Sequence, residues 1–582
     1  MHSLPQVGQP AGGARIRHMA ELIRDQLTAL IRDAIHDAQK KGALPVFDTP
    51  RIEMTRPKIA AHGDYSTNAA LALAKTAGMA PLQVAQHIVD HLPAHDAIGT
   101  VEIARPGYIN FTLSEVWLAQ QAQAILNAGP EWANLDMGTG QRVQVEHGSA
   151  NPTGPLHFGT ARNFVVGDTL ANILEAAGYD VQREYYVNDA GSQVRKFGES
   201  IYARYAQALG RDAPFPEDGY QGEYIADEAQ AIIREHGDRF LRMEQAEAIR
   251  ALGQIGLDAM VESARRTLAR MNIRYDRWFH ERSLYESGLF DRVIDQLRAR
   301  ELLYEQDDAT WFKVSAFGGE KDAVIIRSAK VIPEPSERPT YFGSDIAYVH
   351  DKFIDRGFDR VIYVWGADHH GDVPRMQAIG RAFGIAPERL TVLLYQLVTL
   401  TRGGEEVRQS KRKGEFILLD EVIDEIGSDA IRFMLLTRSI DSKITLDLEL
   451  AKEQSDTNPV YYVQYAHARI ASILRKASEV GVSPSARGDP QLLKHPSELA
   501  LIRKMLELPV VIEQAARDLA PHHLTHYAQD LASAFSAFYR DCRVVDPSAP
   551  DLTSARLMLS RAAKLTLARV LGLMGMSAPE SM

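Results

Sequence analysis

Residues 145–163 read VEHGSANPTGPLHFGTARN, and the rest of the chain is organised around them. RVQVEH (142–147) reads as a strand running into this stretch. After Thr160, the residues Phe164, Val165, Leu170, Ile173 and Leu174 recur at helical spacing until Gly178 ends the run. A second strand follows at 181–187, giving a βαβ unit whose loop lies at the carboxyl end of its first strand. Open parallel sheets bind ligands at that end, and the free N–H groups of a helix start suit phosphate. Pro152 and Pro155 stiffen the turn, Gly159 lets a base or ribose approach the backbone, and His157 has a ring N–H for a phosphate oxygen. These features together point to a nucleotide site.

HFGT alone is not distinctive, but the whole segment is. SANPTGPLHFGTARN closely resembles the signature HIGH region of class I aminoacyl-tRNA synthetases, in the arginyl form, whose pattern is close to SxNPTGPLHxGHxR. Thr160 departs from it, standing where the family has a second His; its short hydroxyl can cap the following helix or reach a phosphate. The resemblance implies ATP as the nucleotide, held here by Pro155, His157, Gly159 and Thr160. Mg2+ is expected with the nucleotide, with no dedicated metal site on the protein.

At 582 residues the chain needs several domains. Its 45% hydrophobic and 24% charged content is that of a soluble globular protein, and no apolar run is long enough for a membrane span. The single cysteine, Cys542, excludes an intramolecular disulfide and a cysteine-based zinc cluster, so a reducing, cytoplasmic setting is expected. A net charge of −11 argues against a surface coated for nucleic acid, although a sum conceals patches. Residues 1–18, rich in Gly and Pro and without an apolar signal-peptide core, are expected to be disordered.

An N-terminal α/β domain is expected over 19–117, beginning with the helical face Leu22, Ile23, Leu27, Leu30, Ile31 and Ile35. It contains GDYSTNAALALAK (63–75) and VEIARPGYINFTL (101–113). On the residues alone Asn110 is a strand-end Asn satisfying backbone. The arginyl family has a similar N-terminal domain that touches the tRNA D-loop, and that resemblance makes Asn110 a candidate base reader. The catalytic domain then occupies 118–400, with an inserted helical subdomain at about 197–270 where exposed acid–base pairs dominate.

PTYFGSDIAYVHDKF (339–353) places Tyr341 and Asp345 four apart, on one face of a helix. The segment resembles the family's YxxxDxAY, whose Tyr and Asp meet the substrate guanidinium. A guanidinium is planar, with five donors and no acceptor, so its pocket needs carboxylates in the plane and can use an aromatic ring. The resemblance thus makes Glu146 and Asp345 the acids and Tyr341 the ring. Asn151 suits the α-amino and carboxylate groups, and Ser149 and His157 complete the arginine-binding set.

DRVIYVWGADHHGDVPRM (359–376) reads as a buried strand, a polar loop and a helix start. Its two histidines and Asp leave a metal site open as a reading. GADHH also resembles the ribose- and adenine-binding loop of class I enzymes, which implies ATP contacts for Gly366, Asp368 and His369. The basic loop TRGGEEVRQSKRKG (401–414) lies between a strand at 391–400 and the helix FILLDEVIDEIG. RQSKR resembles the KMSKS motif, with Arg408 and Gln409 replacing its first Lys and its Met, and with Ser410 and Lys411 retained. Lys411 is expected on the β- and γ-phosphates, where a mobile cation can follow charge into the transition state, so His157 and Lys411 are the candidate catalytic pair.

A KMSKS-type and stem-contact region is expected at 401–450 and an all-helical domain at 451–582. In the helix opening NPVYYVQYAHARIASILRKA, Tyr461, Tyr465 and Arg469 either pack between helices or stack on unpaired bases. The segment resembles the anticodon-binding domain of the arginyl family, down to the ending SAPESM.

Taken whole, the resemblance implies an α/β protein with a Rossmann-type class I catalytic domain between the two flanking domains. It implies a monomer acting on L-arginine, ATP and tRNA(Arg), through arginyl-adenylate, with release of AMP and pyrophosphate. Two alternatives stay open: another HxGH enzyme, either a synthetase for a different amino acid or a nucleotidylyltransferase, and a non-catalytic tRNA-binding relative, given Thr160, Arg408 and Gln409.

Overall fold

The computed structural model describes residues 22–407, 417–483 and 487–582. Residues 1–18, Arg408, Gln409, Ser410 and Lys411 therefore lie outside the described residues. The described residues form two compact units. One takes those up to Asp136 with Ile473–Val510 and Ala534–Arg569; the other takes Met137–Ser472, Val511–Ser533 and Val570–Met582. The C-terminal helices are thus divided between the units rather than gathered in one block.

In the first unit, strands Met54–Thr55, Tyr65–Thr67, Tyr108–Leu113 and Ile98–Ala104 form an antiparallel sheet in that order. The helix Ile23–Lys40 buries Leu27, Ile31 and Ile35, the face its spacing predicts. Asp64 joins the sheet to the helix Pro496–Met505: it accepts from the Leu113 N–H at 2.8 Å and from Arg503 Nε at 2.7 Å. Asn110 does not end a strand. It sits within one, between Ser66 and Glu102 in register, only 6% exposed, and accepts from Ser66 Oγ at 2.7 Å.

The second unit is built on a five-stranded parallel sheet in the order Leu390–Tyr395, Arg360–Gly366, Arg142–His147, Asp180–Val187, Arg277–His280. The central strands are covered on both faces, which is why 361–364 reads VIYV without alternation and why all four side chains are buried. The helix Ala161–Ala176 follows the first strand and lies close against it at Gly167. A Cβ there would stand 2.2 Å from that of His147. From the central strand Arg142–His147 the chain winds first to one side and later to the other. The switch point, and with it the crevice, falls between the carboxyl ends of Arg142–His147 and Arg360–Gly366.

The insertion comprises Ser192–Ala208, Glu223–His236 and Gln245–Arg270, packed around Phe197, Ile201, Tyr205, Leu252 and Leu257. The expected single strand at 391–400 divides. Leu390–Tyr395 stays in the parallel sheet, while Val398–Arg402 pairs with Ile444–Asp447 in another. The backbone leaves the first sheet at Gln396, whose N–H donates to Ile440 O at 3.0 Å and whose carbonyl accepts from Arg162 Nη1 at 2.8 Å. No helix among the described residues is long and apolar enough to cross a membrane.

Candidate active site

Gly148 follows the first strand with φ +86°, and a Cβ on it would meet the rings of Phe164 and Tyr185 at 2.8 Å. Its N–H donates to Asn163 Oδ1 at 2.5 Å, and Asn163 Nδ2 donates to Val364 O at 2.6 Å, so one amide spans the two strand ends flanking the crevice. Beyond the proline turn, backbone bonds register the signature segment against the far end of the basic loop. Phe158 N–H donates to Ile417 O, and Leu419 N–H donates to Leu156 O, both at 2.9 Å. Phe158–Thr160 then makes a 3-10 turn into the helix.

Thr160 does not cap that helix with its side chain; its hydroxyl donates to His157 O at 2.8 Å. The one proton it could offer a phosphate is thereby engaged within the loop. Arg162, fully buried, donates to Gln396 O, Ser442 O and Ser439 O at 2.7–2.8 Å. It fastens the start of the signature helix to the segments on either side of the basic loop.

A cavity of about 1350 Å³ opens at the switch point. Glu146, Ser149, Asn151, His157, Tyr341 and Asp345 all line it, as do Gly159, Thr160, Gly366, Asp368 and His369. Pro155 does not; it belongs to the turn that shapes the loop. Tyr341 and Asp345 lie in the helix Tyr341–His350, whose N-cap Thr340 accepts from the Gly343 N–H at 3.1 Å. The Tyr341 side chain is open to solvent at 55%. Asn151 Oδ1 accepts from Asn188 Nδ2 at 3.1 Å.

The acidic wall of the cavity carries its chemistry. No hydrogen bond or ion pair reaches the Asp345 carboxylate from the described residues. Burial, and the charges of Glu146, Glu281 and Asp372, hold its carboxyl well above the usual range. Glu281 behind it accepts from Ser344 Oγ at 2.6 Å, while its second oxygen is buried without a partner. Burial pushes the Glu281 carboxyl up to about 7. Glu146 is already paired within the protein, because Lys352 donates to its Oε2. Among the described residues Lys352 answers Glu146, while neither Asp345 nor Glu281 is paired with a cation.

At the other end Asp368 and His369 are exposed on a 3-10 turn, with His369 Nδ1 3.3 Å from Asp372 Oδ2. Among the described residues no group of His, Cys, Asp and Glu could hold a metal ion. On the helix Pro459–Glu479, Tyr461 and Tyr465 stack at 5.6 Å. Arg469 lies over the Tyr465 ring at 4.5 Å and donates to its hydroxyl at 2.8 Å. All three are half-buried, so this ladder keeps a face toward solvent.

Sequence reasoning missed Arg162, Glu281 and Lys352. Arg162 stood in the signature stretch, and a charged residue among the apolar ones of a helix start was its signal; Glu281 and Lys352 gave none.

A doubly wound parallel sheet with an HxG-type loop and an acidic cavity at its switch point is the catalytic fold of class I aminoacyl-tRNA synthetases. Three family models match the chain: "Arginyl tRNA synthetase N terminal domain" over residues 25–113, "tRNA synthetases class I (R), catalytic domain" over 121–470, and "DALR anticodon binding domain" over 463–582. The chain belongs to the arginyl-tRNA synthetase family. An arginine–tRNA ligase of Dehalococcoides mccartyi (strain CBDB1) is 49% identical over 560 residues, spanning 96% of this chain and 99% of that one. One from Heliobacterium modesticaldum (strain ATCC 51547 / Ice1) is 46% identical over 97% of this chain and all of its own length. The Thermus thermophilus arginyl-tRNA synthetase structure superposes with a TM-score of 0.71 at 25% identity, covering 96% of this chain and all of that one.

Proposed function

We propose that the chain is an arginine–tRNA ligase that joins L-arginine to tRNA(Arg) through arginyl-adenylate, releasing AMP and pyrophosphate. The observation that carries the amino-acid assignment is Asp345, a carboxylate without a cation on the wall it shares with Glu146 and Tyr341. A guanidinium supplies the missing charge and a planar fork of donors. In this reading Asn151 and Ser149 hold the α-amino and carboxylate end, which brings that carboxylate toward the signature loop. His157 donates to phosphate, Gly159 admits the nucleotide, and Gly366, Asp368 and His369 receive ribose and base.

The arginine carboxylate attacks the α-phosphate of ATP and pyrophosphate leaves; the terminal 2′-hydroxyl of the tRNA then attacks the adenylate carbonyl. Positioning and charge stabilisation do most of this work, with Lys411 as the cation on the leaving phosphates. Mg2+ is proposed to arrive on the nucleotide. Tyr461, Tyr465 and Arg469 are proposed as a stacking surface for anticodon-loop bases, and Asn110, closed by Ser66, as a D-loop contact only if that bond opens. The domain limits given above are part of the proposal, as is action as a cytoplasmic monomer. Light scattering at the mass of one chain, 64.7 kDa, tests the latter.

The deciding experiment is pyrophosphate exchange with each amino acid, with and without tRNA. Exchange with arginine, dependent on tRNA(Arg), is expected; brisk exchange with another amino acid, or none with arginine, refutes the assignment.

A further inference from the structure

Beneath the acidic wall lies a lysine that the reaction as described leaves without a task. Lys352 is fully buried, in a π turn at Asp351–Asp355 that continues the helix Tyr341–His350. Such turns recur at functional sites. Its Nζ stands 4.0 Å from the Tyr348 ring centre and 4.1 Å from that of Tyr363, and it donates to Glu146 Oε2. An ammonium taken wholly out of water costs far more than a surface one, so a buried lysine held between two rings and a carboxylate is a built arrangement.

The groups around Glu146 explain what it is for. From strand Asp180–Val187 come Glu184 and Tyr186, from helix Tyr341–His350 come Asp345 and Tyr348, and from strand Arg360–Gly366 comes Tyr363. Arg356 is already engaged by Glu184 and Asp351. Among the described residues Lys352 is therefore the one cation that answers Glu146; burial pushes the Glu146 carboxyl above its usual range, and the Lys352 ammonium opposes that shift without cancelling it. Without it, Glu146, Asp345 and Glu281 would be buried acids crowded together, and such groups neutralise by taking up protons.

We propose that Lys352 is a positioning residue, the resident counter-ion that favours the ionised form of Glu146 and aims it, leaving Asp345 as the acid of the cavity that a cationic side chain can pair with. The pocket then accepts a cationic side chain without first shedding a proton from Glu146. This inference rests on the guanidinium reading of the pocket and adds to it the source of its charge state.

The test is the pH dependence of the arginine KM and the ATP KM in tRNA-dependent pyrophosphate exchange, for the wild type, Lys352→Met and Lys352→Arg. In Lys352→Met, Glu146 loses its counter-ion and its pKa rises, so the climb in the arginine KM from high to low pH should exceed that of the wild type by at least about tenfold. The ATP KM should stay within about twofold, and Lys352→Arg, which keeps the charge, should restore the wild-type pH profile. Parallel rises in both KM values, or a higher arginine KM with no new pH dependence, would show structural support only and overturn the inference.

Should Lys352→Met fail to fold, Lys352→Met combined with Glu146→Gln removes both buried charges. If Lys352 acts through Glu146, the pair should match the arginine KM of Glu146→Gln alone to within about twofold; a further rise overturns the inference. Failure of the guanidinium reading itself would appear separately, as a wild type that exchanges with a different amino acid.

Discussion

Asp345→Asn keeps the size of the side chain and removes its charge, which isolates what the open carboxylate contributes. A hydrogen bond between charged groups contributes about 1.5–3 kcal/mol, and a guanidinium can make two to one carboxylate. Among the described residues no cation is hydrogen-bonded or ion-paired with Asp345, and the Lys352 charge is only the smallest of the influences on it, which favours the upper part of that range. Against this, its carboxyl sits well above the usual range, so near neutral pH binding must also displace a proton. The net loss should be about 1.5–2 kcal/mol, a rise of about ten- to thirtyfold in the arginine KM with the ATP KM unmoved.

The same imbalance sets a sign with pH. A cation bound beside Asp345 favours its ionised form, so arginine binding releases a proton and the wild-type arginine KM falls as pH rises. Asp345→Asn should flatten that dependence. The assay is tRNA-dependent pyrophosphate exchange across pH. Equal weakening of arginine and ATP, or an unchanged pH slope, would refute Asp345 as the guanidinium partner.

Glu281→Gln should stabilise the protein more at alkaline than at acid pH. The folded carboxyl titrates near 7 against 4.5 when exposed, so between those values the folded state holds the extra proton and stability falls as pH rises. The full effect is at most about 3–4 kcal/mol, readable by denaturant unfolding at both pH extremes. Lys411→Ala should slow single-turnover adenylate formation at least about tenfold more than Thr160→Ala, whose hydroxyl is engaged by His157 O. A silent Lys411→Ala with an inactive Thr160→Ala would reverse those roles. Arg162→Met should lower the melting temperature, because it leaves three part-buried carbonyls without their donor and removes a fully buried side chain; an unchanged melting curve would count against Arg162 as a fastening.

What the sequence disclosed depended on range. The strand Arg142–His147 and the helix face shared by Tyr341 and Asp345 stand where local periodicity puts them. Contacts between distant positions left no local mark. Glu146 reads as an open acid because its partner lies 206 residues away. The strand at 391–400 reads as continuous because the carbonyl acceptor and the Arg162 donor that draw Gln396 aside belong to other segments. Asn110 shows the same limit: from its neighbours it reads as a strand-end Asn satisfying backbone, whereas it lies within the strand and accepts from Ser66, 44 residues away. The basic loop is legible by motif only, since Ser410 and Lys411 fall outside the described residues.

Asn163 has a consequence of a different kind. The ladder between the central strand and its neighbour ends at His147 and Val364, and beyond that point the two chains diverge around the cavity. There the amide of Asn163 receives the Gly148 N–H on one side and donates to Val364 O on the other, as a peptide group of an intervening strand would. The width of the cleft at its root is therefore a covalent dimension, the span of one carboxamide. Asp has the shape but no N–H, and would set a carboxylate against a carbonyl oxygen; Leu has neither donor nor acceptor. A single side chain thus acts as a gauge block, and the gap to which ligands must conform is set during folding rather than on arrival.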